Sequence, residues 1–272
     1  MSSFNLNAYF KRIRYNGPRT PSLTTLRAIH ALHPAAIPFE NLNPLLGIPV
    51  LLDTPALQSK VIDAQRGGYC FEQNLLLKEA LESLGFPVTS LAARVIWNRS
   101  DDAITSRSHM LLLVEVEGEQ YIADVGFGGQ TLTAPLRLEL DTEQETPHEP
   151  SRLIEHDGDF LLQAKIRDEW RSMYRFDLQR QYRIDYEVSS WYLSNHPESH
   201  FVTGLRVARA VPGKRFNLLG KELTTHTLGA KSATRTLSSV DELCDTLETL
   251  FGIRLPEHPN LHARLSRIVE SV

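Results

Sequence analysis

The chain has 272 residues, of which 42% are hydrophobic and 23% charged, a balance typical of globular proteins. With 29 basic and 33 acidic residues the formal net charge is -4, so no overall positive field attracts nucleic acid or an anionic membrane. The apolar runs are shorter than the ~20 residues of a membrane helix, and the first residues lack a secretory signal pattern. Two cysteines, Cys70 and Cys244, are too few for a disulfide scaffold or a thiolate metal site, which predicts a cytoplasmic protein with free thiols and no metal.

The N-terminal segment, residues 1–86, has apolar side chains at helical spacing. Ser22 precedes one of these patterns and is a predicted helix N-cap. Gly67 and Gly68 then interrupt the chain, and another helical pattern follows them directly. This arrangement predicts a helical block in which Cys70 lies at or just before a helix N-terminus.

The middle segment, residues 87–195, changes to a period of two, which predicts antiparallel β-sheet. The strands expected in this segment cover residues 88–97, 109–116, 120–127, 160–166 and 183–188. The last segment, residues 196–272, mixes strand-like runs with an amphipathic helix. The change of period therefore predicts three structural blocks.

Cys70 is the first candidate for chemistry. A thiol attacks as its thiolate, and the ordinary thiol pKa of ~8.5 has to be lowered by a helix N-terminus, a cation or an imidazolium. The predicted position of Cys70 supplies the first of these, and the two preceding glycines keep the approach to the sulfur open. The alternative is a buried cysteine that only packs a core helix.

A histidine and an aspartate lie on the two strands of one predicted hairpin. If Glu117 and Gly118 form the turn, the strand register makes His109 a diagonal neighbour of Asp124, within reach of a side-chain hydrogen bond. A carboxylate on one ring nitrogen fixes the tautomer and supports the imidazolium that a Cys-His pair needs. A purely structural His-Asp pair is the alternative.

The glycine-rich run 126–129 follows the second of these strands. A dinucleotide-binding loop is excluded, because such a loop opens a helix and this run leads into a segment with a proline close behind. The glycines are interpreted as permitting close approach of a ligand to the backbone, with Phe127 as an aromatic wall. A simple turn at the end of a strand remains the alternative.

Five stretches carry a family resemblance. They are PFENL (38–42), RGGYCFEQN (66–74), SHMLLLV (108–114), ADVGFGGQTLTAP (123–135) and HPESHF (196–201). On these motifs the chain resembles the arylamine N-acetyltransferases, and it is especially similar to the enterobacterial N-hydroxyarylamine O-acetyltransferase type. The resemblance covers nearly the whole chain in the order of the family.

The resemblance implies an α+β fold made of an N-terminal helical bundle, a central antiparallel β-barrel and a C-terminal α/β lid around a papain-like or transglutaminase-like Cys-His-Asp core. It implies a triad of Cys70, His109 and Asp124. The implied reaction is ping-pong transfer of an acetyl group from acetyl-CoA, through a thioester on the cysteine, to an arylamine, arylhydrazine or N-hydroxyarylamine.

The resemblance also implies three supporting sets of residues. A buried structural ion pair is expected between Glu40 and Arg66. The aromatic pocket is expected to be lined by Phe39, Phe127 and Phe201. Contacts with CoA are expected from Thr105, Ser106, Gly128 and Gly129.

Three other functions are compatible with the same residues. A Cys-His-Asp hydrolase of amides shares the thioester chemistry and differs in its acceptor. A natural-product amide synthase takes its acyl chain from a carrier protein. A binding protein without catalysis would contain the three residues by accident. The sequence also leaves open whether the protein is a monomer or a homodimer.

Overall fold

The computed structural model describes residues 4–271. In the N-terminal part of the chain, several helices pack around the helix that begins at Cys70. Its elements are α1 (Leu6–Ile13), α2 (Leu23–Ala36), β1 (Phe39–Glu40), α3 (Leu42–Leu46), α4 (Thr54–Leu57), which continues as a π-helical segment (Gln58–Asp63), and α5 (Cys70–Ser83). The side chain of Ser22 accepts a hydrogen bond from the backbone of Thr25, which confirms its prediction as an N-cap. Most of α5 is buried, as expected for a helix without a wide polar face.

The middle of the chain forms an antiparallel sheet of seven strands in the order β5-β4-β3-β2-β8-β7-β6. The strands are β2 (Val88–Val95), β3 (Arg107–Val116), β4 (Glu119–Ala123), β5 (Leu136–Arg137), β6 (Ser151–His156), β7 (Asp159–Ile166) and β8 (Glu169–Phe176). Isolated bridges join Leu140 to Leu153 and Gln144 to Ser151, so the chain after β5 reaches β6 at the other end of the sheet. The sheet is thereby curled into a nearly closed barrel, and the α+β fold class is confirmed.

The hairpin of β3 and β4 has the predicted register, with Val116 paired to Glu119. Glu117 and Gly118 form its turn, and both have positive φ, 56° and 80°, as in the two-residue turns that match strand twist. The predicted strand over residues 120–127 was too long, because β4 ends at Ala123. The glycine-rich run that follows is irregular backbone.

The strand predicted over residues 183–188 was wrong. These residues begin helix α6 (Arg183–Asn195). The alternation of polar and apolar residues imitates a strand, but the buried residues Tyr186, Ser190 and Ser194 are four apart and define one helical face. The hydroxyl of Tyr186 donates to the backbone oxygen of Leu91 at 2.9 Å, which docks this face on the barrel.

The C-terminal part forms a five-stranded antiparallel sheet, here called the lid sheet, in the order β1-β9-β10-β11-β12. Its elements are α7 (His200–Thr203), β9 (Arg206–Val211), β10 (Lys214–Leu219), β11 (Glu222–Thr227), β12 (Ala233–Thr236), α8 (Val240–Asp245), which continues as a π-helical segment (Thr246–Leu250), and α9 (Leu261–Glu270). A separate apolar core joins this sheet to the last helices. Within residues 4–271 no helix is both long and apolar enough to cross a membrane. Domain boundaries after residues 86 and 195 stay a prediction.

Strand β1 connects the lid sheet to the loop before Cys70. Phe39 pairs with Ala208 of β9, and the backbone N–H of Glu40 donates to Gly68 at 3.1 Å. The lid sheet therefore takes one edge strand from the helical part of the chain. This sharing places the lid directly beside the start of α5.

A buried ion pair holds this junction. Arg66 Nη2 lies 2.8 Å from Glu40 Oε1, and both side chains are almost fully buried. The other carboxylate oxygen of Glu40 accepts the N–H of Leu42 at 2.6 Å, and Arg66 also donates to Asn43 at 3.1 Å. Burial alone raises the pKa of Glu40, but the charges of Arg66 and Lys60 outweigh it and the pKa is lowered.

Replacing Glu40 with alanine is expected to lower the free energy of unfolding by about 3–5 kcal/mol, because it leaves the Arg66 cation buried and unpaired. Urea denaturation measures this change. The control is Arg137→Ala, which removes a pair with Glu119 whose side chains are about half exposed. That control is expected to cost less than about 1 kcal/mol, and equal losses in the two variants would contradict the assignment of a buried pair.

Candidate active site

Cys70 is the first residue of α5 and its side chain is buried at the base of a cavity. The sulfur lies 3.7 Å from the backbone oxygen of Ser108 on β3. Glu72 accepts the N–H of Tyr69 at 3.1 Å and caps the helix start. Cys70 therefore lies in the first turn of α5, where backbone N–H groups have no partner within the helix.

Gly126 allows the loop after β4 to pack against the first turn of α5. A Cβ at this position would lie 2.7 Å from the Cα of Cys70 and 2.8 Å from Nδ2 of Asn74. The first neighbour is backbone and the second is held by hydrogen bonds to Met110 and Asp124, so any larger residue has to displace the helix start. The absence of a side chain at Gly126 therefore permits the close approach of Cys70 to the loop after β4.

His109 and Asp124 are joined by a hydrogen bond of 2.7 Å between Nε2 and Oδ2, both groups being buried. Cys70 and His109 line the same cavity, and the Cys70 sulfur lies 3.7 Å from the backbone oxygen of Ser108, the residue before His109, so the three predicted residues lie close together. Burial lowers the pKa of His109, but the Asp124 carboxylate outweighs it, and the pKa is raised to about 10. The imidazole is therefore held as a cation at neutral pH.

The carboxylate of Asp124 accepts further hydrogen bonds. Its Oδ1 accepts from Asn74 and from the backbone of Gly126, each at 2.9 Å, and its Oδ2 accepts from the hydroxyl of Tyr174 at 3.0 Å. Burial raises the pKa of Asp124, whereas His109 and these donors lower it, with a net lowering. The buried charge is thus fully hydrogen-bonded.

Sequence reasoning missed both Asn74 and Tyr174. Asn74 follows Cys70 by four residues on α5, so helical spacing and the motif RGGYCFEQN were a usable signal. Tyr174 lies on β8, fifty residues from Asp124 in sequence. Only the pairing of β8 with β2 brings it there, and no local pattern indicates that pairing.

Two further histidines lie behind the site and differ from His109 in charge. His30 Nε2 accepts the backbone N–H of Asp124 at 3.1 Å. His33 bonds to Gln73 at 2.7 Å and to the hydroxyl of Tyr9 at 2.8 Å. Burial lowers the pKa of His30 to about 4 and that of His33 to about 3, so both rings are neutral.

The cavity above Cys70 has a volume of about 1570 Å³ and lies between the barrel and the lid sheet. Its walls include the predicted aromatic residues Phe39, Phe127 and Phe201 and the predicted glycines Gly128 and Gly129. The rings of Phe39 and Phe201 are 6.0 Å apart, and that of Phe127 meets the imidazole of His109 edge-on at 5.3 Å. Three aromatic side chains therefore line the cavity that also contains Cys70.

Thr105 and Ser106 lie apart from this group. Neither is among the cavity-lining residues in the part of the chain that the structure describes. The hydroxyl of Thr105 donates to the backbone oxygen of Val95 at 3.0 Å, and Ser106 is exposed just before β3. Their contact with CoA stays a prediction.

Known proteins share both the sequence and the fold. A family model described as N-acetyltransferase matches residues 22–259. The chain is 46% identical to an arylamine N-acetyltransferase of Mycolicibacterium smegmatis, over 99% of this chain and 100% of that protein. It is 42% identical to the arylamine N-acetyltransferase / N-hydroxyarylamine O-acetyltransferase of Salmonella typhimurium, over 93% of this chain and 90% of that protein. The solved structure of a Mycobacterium marinum arylamine N-acetyltransferase in complex with CoA matches with a TM-score of 0.93 at 42% identity, covering 97% of this chain and 99% of that one.

The fold and these matches define an acyltransferase. More narrowly, the chain belongs to the arylamine N-acetyltransferase family. The family resemblance seen in the sequence motifs is thereby confirmed.

Replacing Gly126 with alanine is expected to slow alkylation of Cys70 by iodoacetamide and to lower the free energy of unfolding by about 1–3 kcal/mol, because the added methyl group overpacks the start of α5. Gly204→Ala is the matched control, since a Cβ there meets its nearest atom at 3.7 Å. The control is expected to change stability by less than about 0.5 kcal/mol. A Gly126→Ala protein with normal stability and normal alkylation would contradict the close packing.

The charge of His109 can be read by NMR of its imidazole nitrogens. Because its pKa is raised to about 10, the ring is expected to stay protonated at pH values above the ordinary pKa of histidine. It is expected to lose the proton only as the pH rises toward 10. In Asp124→Asn burial acts without the opposing carboxylate, so the ring is expected to be neutral at pH 7.

The two buried neutral histidines are internal references in the same spectra. With pKa values lowered to about 4 and about 3, His30 and His33 are expected to stay neutral throughout that titration. The same His109 titration in the wild type and in Asp124→Asn would refute the role of the carboxylate.

Proposed function

We propose that this enzyme transfers the acetyl group of acetyl-CoA to arylamines, arylhydrazines and N-hydroxyarylamines through an acetyl thioester on Cys70. The observation that carries the proposal is the arrangement at the cavity base. Cys70 starts a helix beside an imidazole whose other side is bonded to a buried carboxylate at 2.7 Å. A thiol, a proton carrier and an orienting carboxylate are the parts that thioester chemistry requires.

In the first half-reaction the Cys70 thiolate attacks the carbonyl carbon of the acetyl thioester. The tetrahedral intermediate then collapses, the carbon–sulfur bond to CoA breaks, and CoA leaves as its thiol after taking the proton of the His109 imidazolium. Asp124 stabilises the cation before transfer and keeps the ring oriented throughout. The products of this step are acetyl-Cys70 and free CoA.

In the second half-reaction the nitrogen or hydroxyl oxygen of the acceptor attacks the acetyl-Cys70 carbonyl. The now neutral His109 takes the acceptor's proton, and the bond to Cys70 breaks to restore the thiolate-imidazolium pair. The same ring therefore serves first as acid and then as base. Because acetyl-Cys70 retains the acetyl group, CoA can leave before the acceptor binds, which is a ping-pong order.

The aromatic side chains support an aromatic acceptor. Phe39, Phe127 and Phe201 line the cavity that contains Cys70, and aromatic pairs add to the energy of apolar burial. The names of the M. smegmatis and S. typhimurium relatives specify arylamines and, for the latter, N-hydroxyarylamines. We include hydrazines because they offer the same kind of nucleophilic nitrogen on an aromatic substituent.

We also propose a cytoplasmic location. Cys70 and Cys244 are both free thiols in the structure, and a thiol nucleophile of this kind is preserved in a reducing compartment.

Incubation with acetyl-CoA alone is expected to add one acetyl group to the wild-type protein and none to Cys70→Ala. The variant is also expected to lose acetylation of an aromatic amine, while its urea unfolding stays close to that of the wild type. Intact-protein mass spectrometry and an amine acetylation assay measure the two effects. Cys244→Ala is the control and is expected to retain both, since Cys244 lies on α8 in the C-terminal core.

The other outcomes of this experiment identify the competing functions. Rapid hydrolysis of amides without CoA would indicate a hydrolase. Failure of every CoA thioester to acylate Cys70, together with acylation by a carrier-bound chain, would indicate an amide synthase. Equal, slow alkylation of Cys70 and Cys244 by limiting iodoacetamide would indicate a protein without catalysis.

A further inference from the structure

Three buried polar side chains form a continuous line of hydrogen bonds behind the loop that precedes Cys70. They are Tyr9 on α1, His33 on α2 and Gln73 on α5, and each is at most 1% exposed. The Tyr9 hydroxyl lies 2.8 Å from Nδ1 of His33, and Nε2 of the same ring lies 2.7 Å from Oε1 of Gln73. We call these three side chains the buried triplet. None of them takes part in the proton transfers at His109.

The triplet ends on the backbone beside the nucleophile. Nε2 of Gln73 donates to the backbone oxygen of Pro38 at 2.7 Å and to that of Gly68 at 3.2 Å. Gly68 lies two residues before Cys70, and Pro38 directly precedes strand β1. One side-chain amide therefore bonds both segments that meet at the start of α5.

The direction of every hydrogen bond in the triplet is determined. A backbone oxygen only accepts, so the NH₂ group of Gln73 faces the two backbone oxygens and its Oε1 faces His33. His33 therefore donates from Nε2. Burial lowers the pKa of His33 to about 3, so the ring has one proton and its Nδ1 accepts from the Tyr9 hydroxyl. A buried network in which each polar atom has one permitted role favours a single arrangement.

The two backbone segments held by Gln73 are in close contact. A Cβ at Gly67 would lie 2.0 Å from the backbone oxygen of Pro38, so the loop touches this oxygen and a shift of one displaces the other. Phe39, the residue after Pro38, lines the cavity that contains Cys70. The Gln73 amide is thus connected through backbone to the nucleophile and to an aromatic residue of the cavity wall. A displacement of 1 Å at a reacting group can slow a reaction by about a hundredfold.

We propose that Gln73, oriented by His33 and Tyr9, is a positioning residue that fixes the Cys70 sulfur relative to His109 for acetyl transfer. It acts through the backbone of Gly68 and Pro38. This inference rests on the proposed function and deepens it, because it makes the rate of the first half-reaction depend on side chains of α1 and α2. The triad alone then does not determine that rate.

Substitutions of Gln73 test the end of the triplet. Gln73→Met keeps the size of the side chain and removes the amide, whereas Gln73→Glu keeps an oxygen facing His33 and removes the NH₂ group. Both backbone oxygens retain a backbone donor, because Gly68 donates to Pro38 at 3.4 Å and Glu40 donates to Gly68 at 3.1 Å. The variants are therefore expected to fold.

Substitutions further along the triplet test its direction. Tyr9→Phe removes the first donor, and His33→Leu removes the link between Tyr9 and Gln73. His33→Gln is the conservative variant, because its amide has both a donor and an acceptor. The matched control is Tyr15→Phe, which removes a hydroxyl that donates to the backbone oxygen of Pro18 at 2.6 Å in the same part of the chain.

Acetylation of Cys70 is measured in single turnovers at saturating acetyl-CoA without acceptor, per folded protein. Gln73→Met and Gln73→Glu are each expected to lose about ten- to a hundredfold in this rate constant, as for a displaced nucleophile. Tyr9→Phe is expected to lose about two- to tenfold, the fold-change of one hydrogen bond. His33→Gln is expected to react faster than His33→Leu, and Tyr15→Phe is expected to match the wild type.

NMR of the imidazole nitrogens checks the direction of the bonds without any substrate. In the wild type His33 is expected to carry its proton on Nε2. His30 lies one turn earlier on α2, and its Nε2 accepts the backbone N–H of Asp124 at 3.1 Å, so its proton is expected on Nδ1. Opposite tautomers of these two neutral rings support the proposed orientation of Gln73, and a proton on Nδ1 of His33 would contradict it.

Three kinetic results would overturn the proposal. A wild-type rate constant per folded Gln73→Met protein would leave the triplet with a role in stability alone. An equal loss in Tyr15→Phe would indicate general loosening of the helices, and equal rates in His33→Gln and His33→Leu would exclude orientation by hydrogen bonds. If acetyl-CoA does not acetylate the wild type, the proposed function fails. Alkylation of Cys70 by iodoacetamide then tests positioning, since it is expected to slow in the Gln73 variants and not in Tyr15→Phe.

Discussion

The buried carboxylate of Asp124 is the point at which the separate parts of the chain meet. It accepts hydrogen bonds from His109 on β3, from Asn74 on α5 and from Tyr174 on β8, while its own backbone N–H donates to His30 on α2. A buried anion is costly unless it is paired and hydrogen-bonded, so the fold has to deliver all of these donors to one place. The Asp124 carboxylate therefore contributes both to the packing of the helices against the barrel and to the charge of the His109 imidazole.

Strand β1 imposes the second constraint. By sequence Phe39 and Glu40 belong to the helical part, yet by hydrogen bonding they form the edge of the lid sheet, and the Glu40 N–H also bonds the loop at Gly68. Backbone hydrogen bonds therefore connect the wall of the cavity to the loop before Cys70. Glu40 of this strand forms the buried ion pair with Arg66, so a structural ion pair anchors the strand that also carries Phe39 of the cavity wall.

Much of the fold and of the site could be predicted from sequence where the information is local. The positive-φ turn at Glu117 and Gly118 sets the register of one hairpin, and that register alone brings His109 beside Asp124. Tyr174 could not be predicted, because its contact depends on how β8 joins the sheet rather than on any nearby residue. Helix α6 was missed because a polar-apolar alternation is ambiguous until the surface that covers it is known.

The different charges of the buried histidines show how the fold separates chemistry from support. His30 and His109 are equally buried and both contact Asp124, but His30 accepts a backbone N–H while His109 donates to the carboxylate. Burial without that ion pair leaves His30 neutral, whereas the same burial with it leaves His109 charged. The charge of the His109 imidazole thus depends on contacts within the barrel and α5, and among residues 4–271 no side chain of the lid sheet bonds to His109 or Asp124. Substitutions on the cavity-facing side of the lid sheet can accordingly alter the cavity wall while the His109–Asp124 hydrogen bond stays intact.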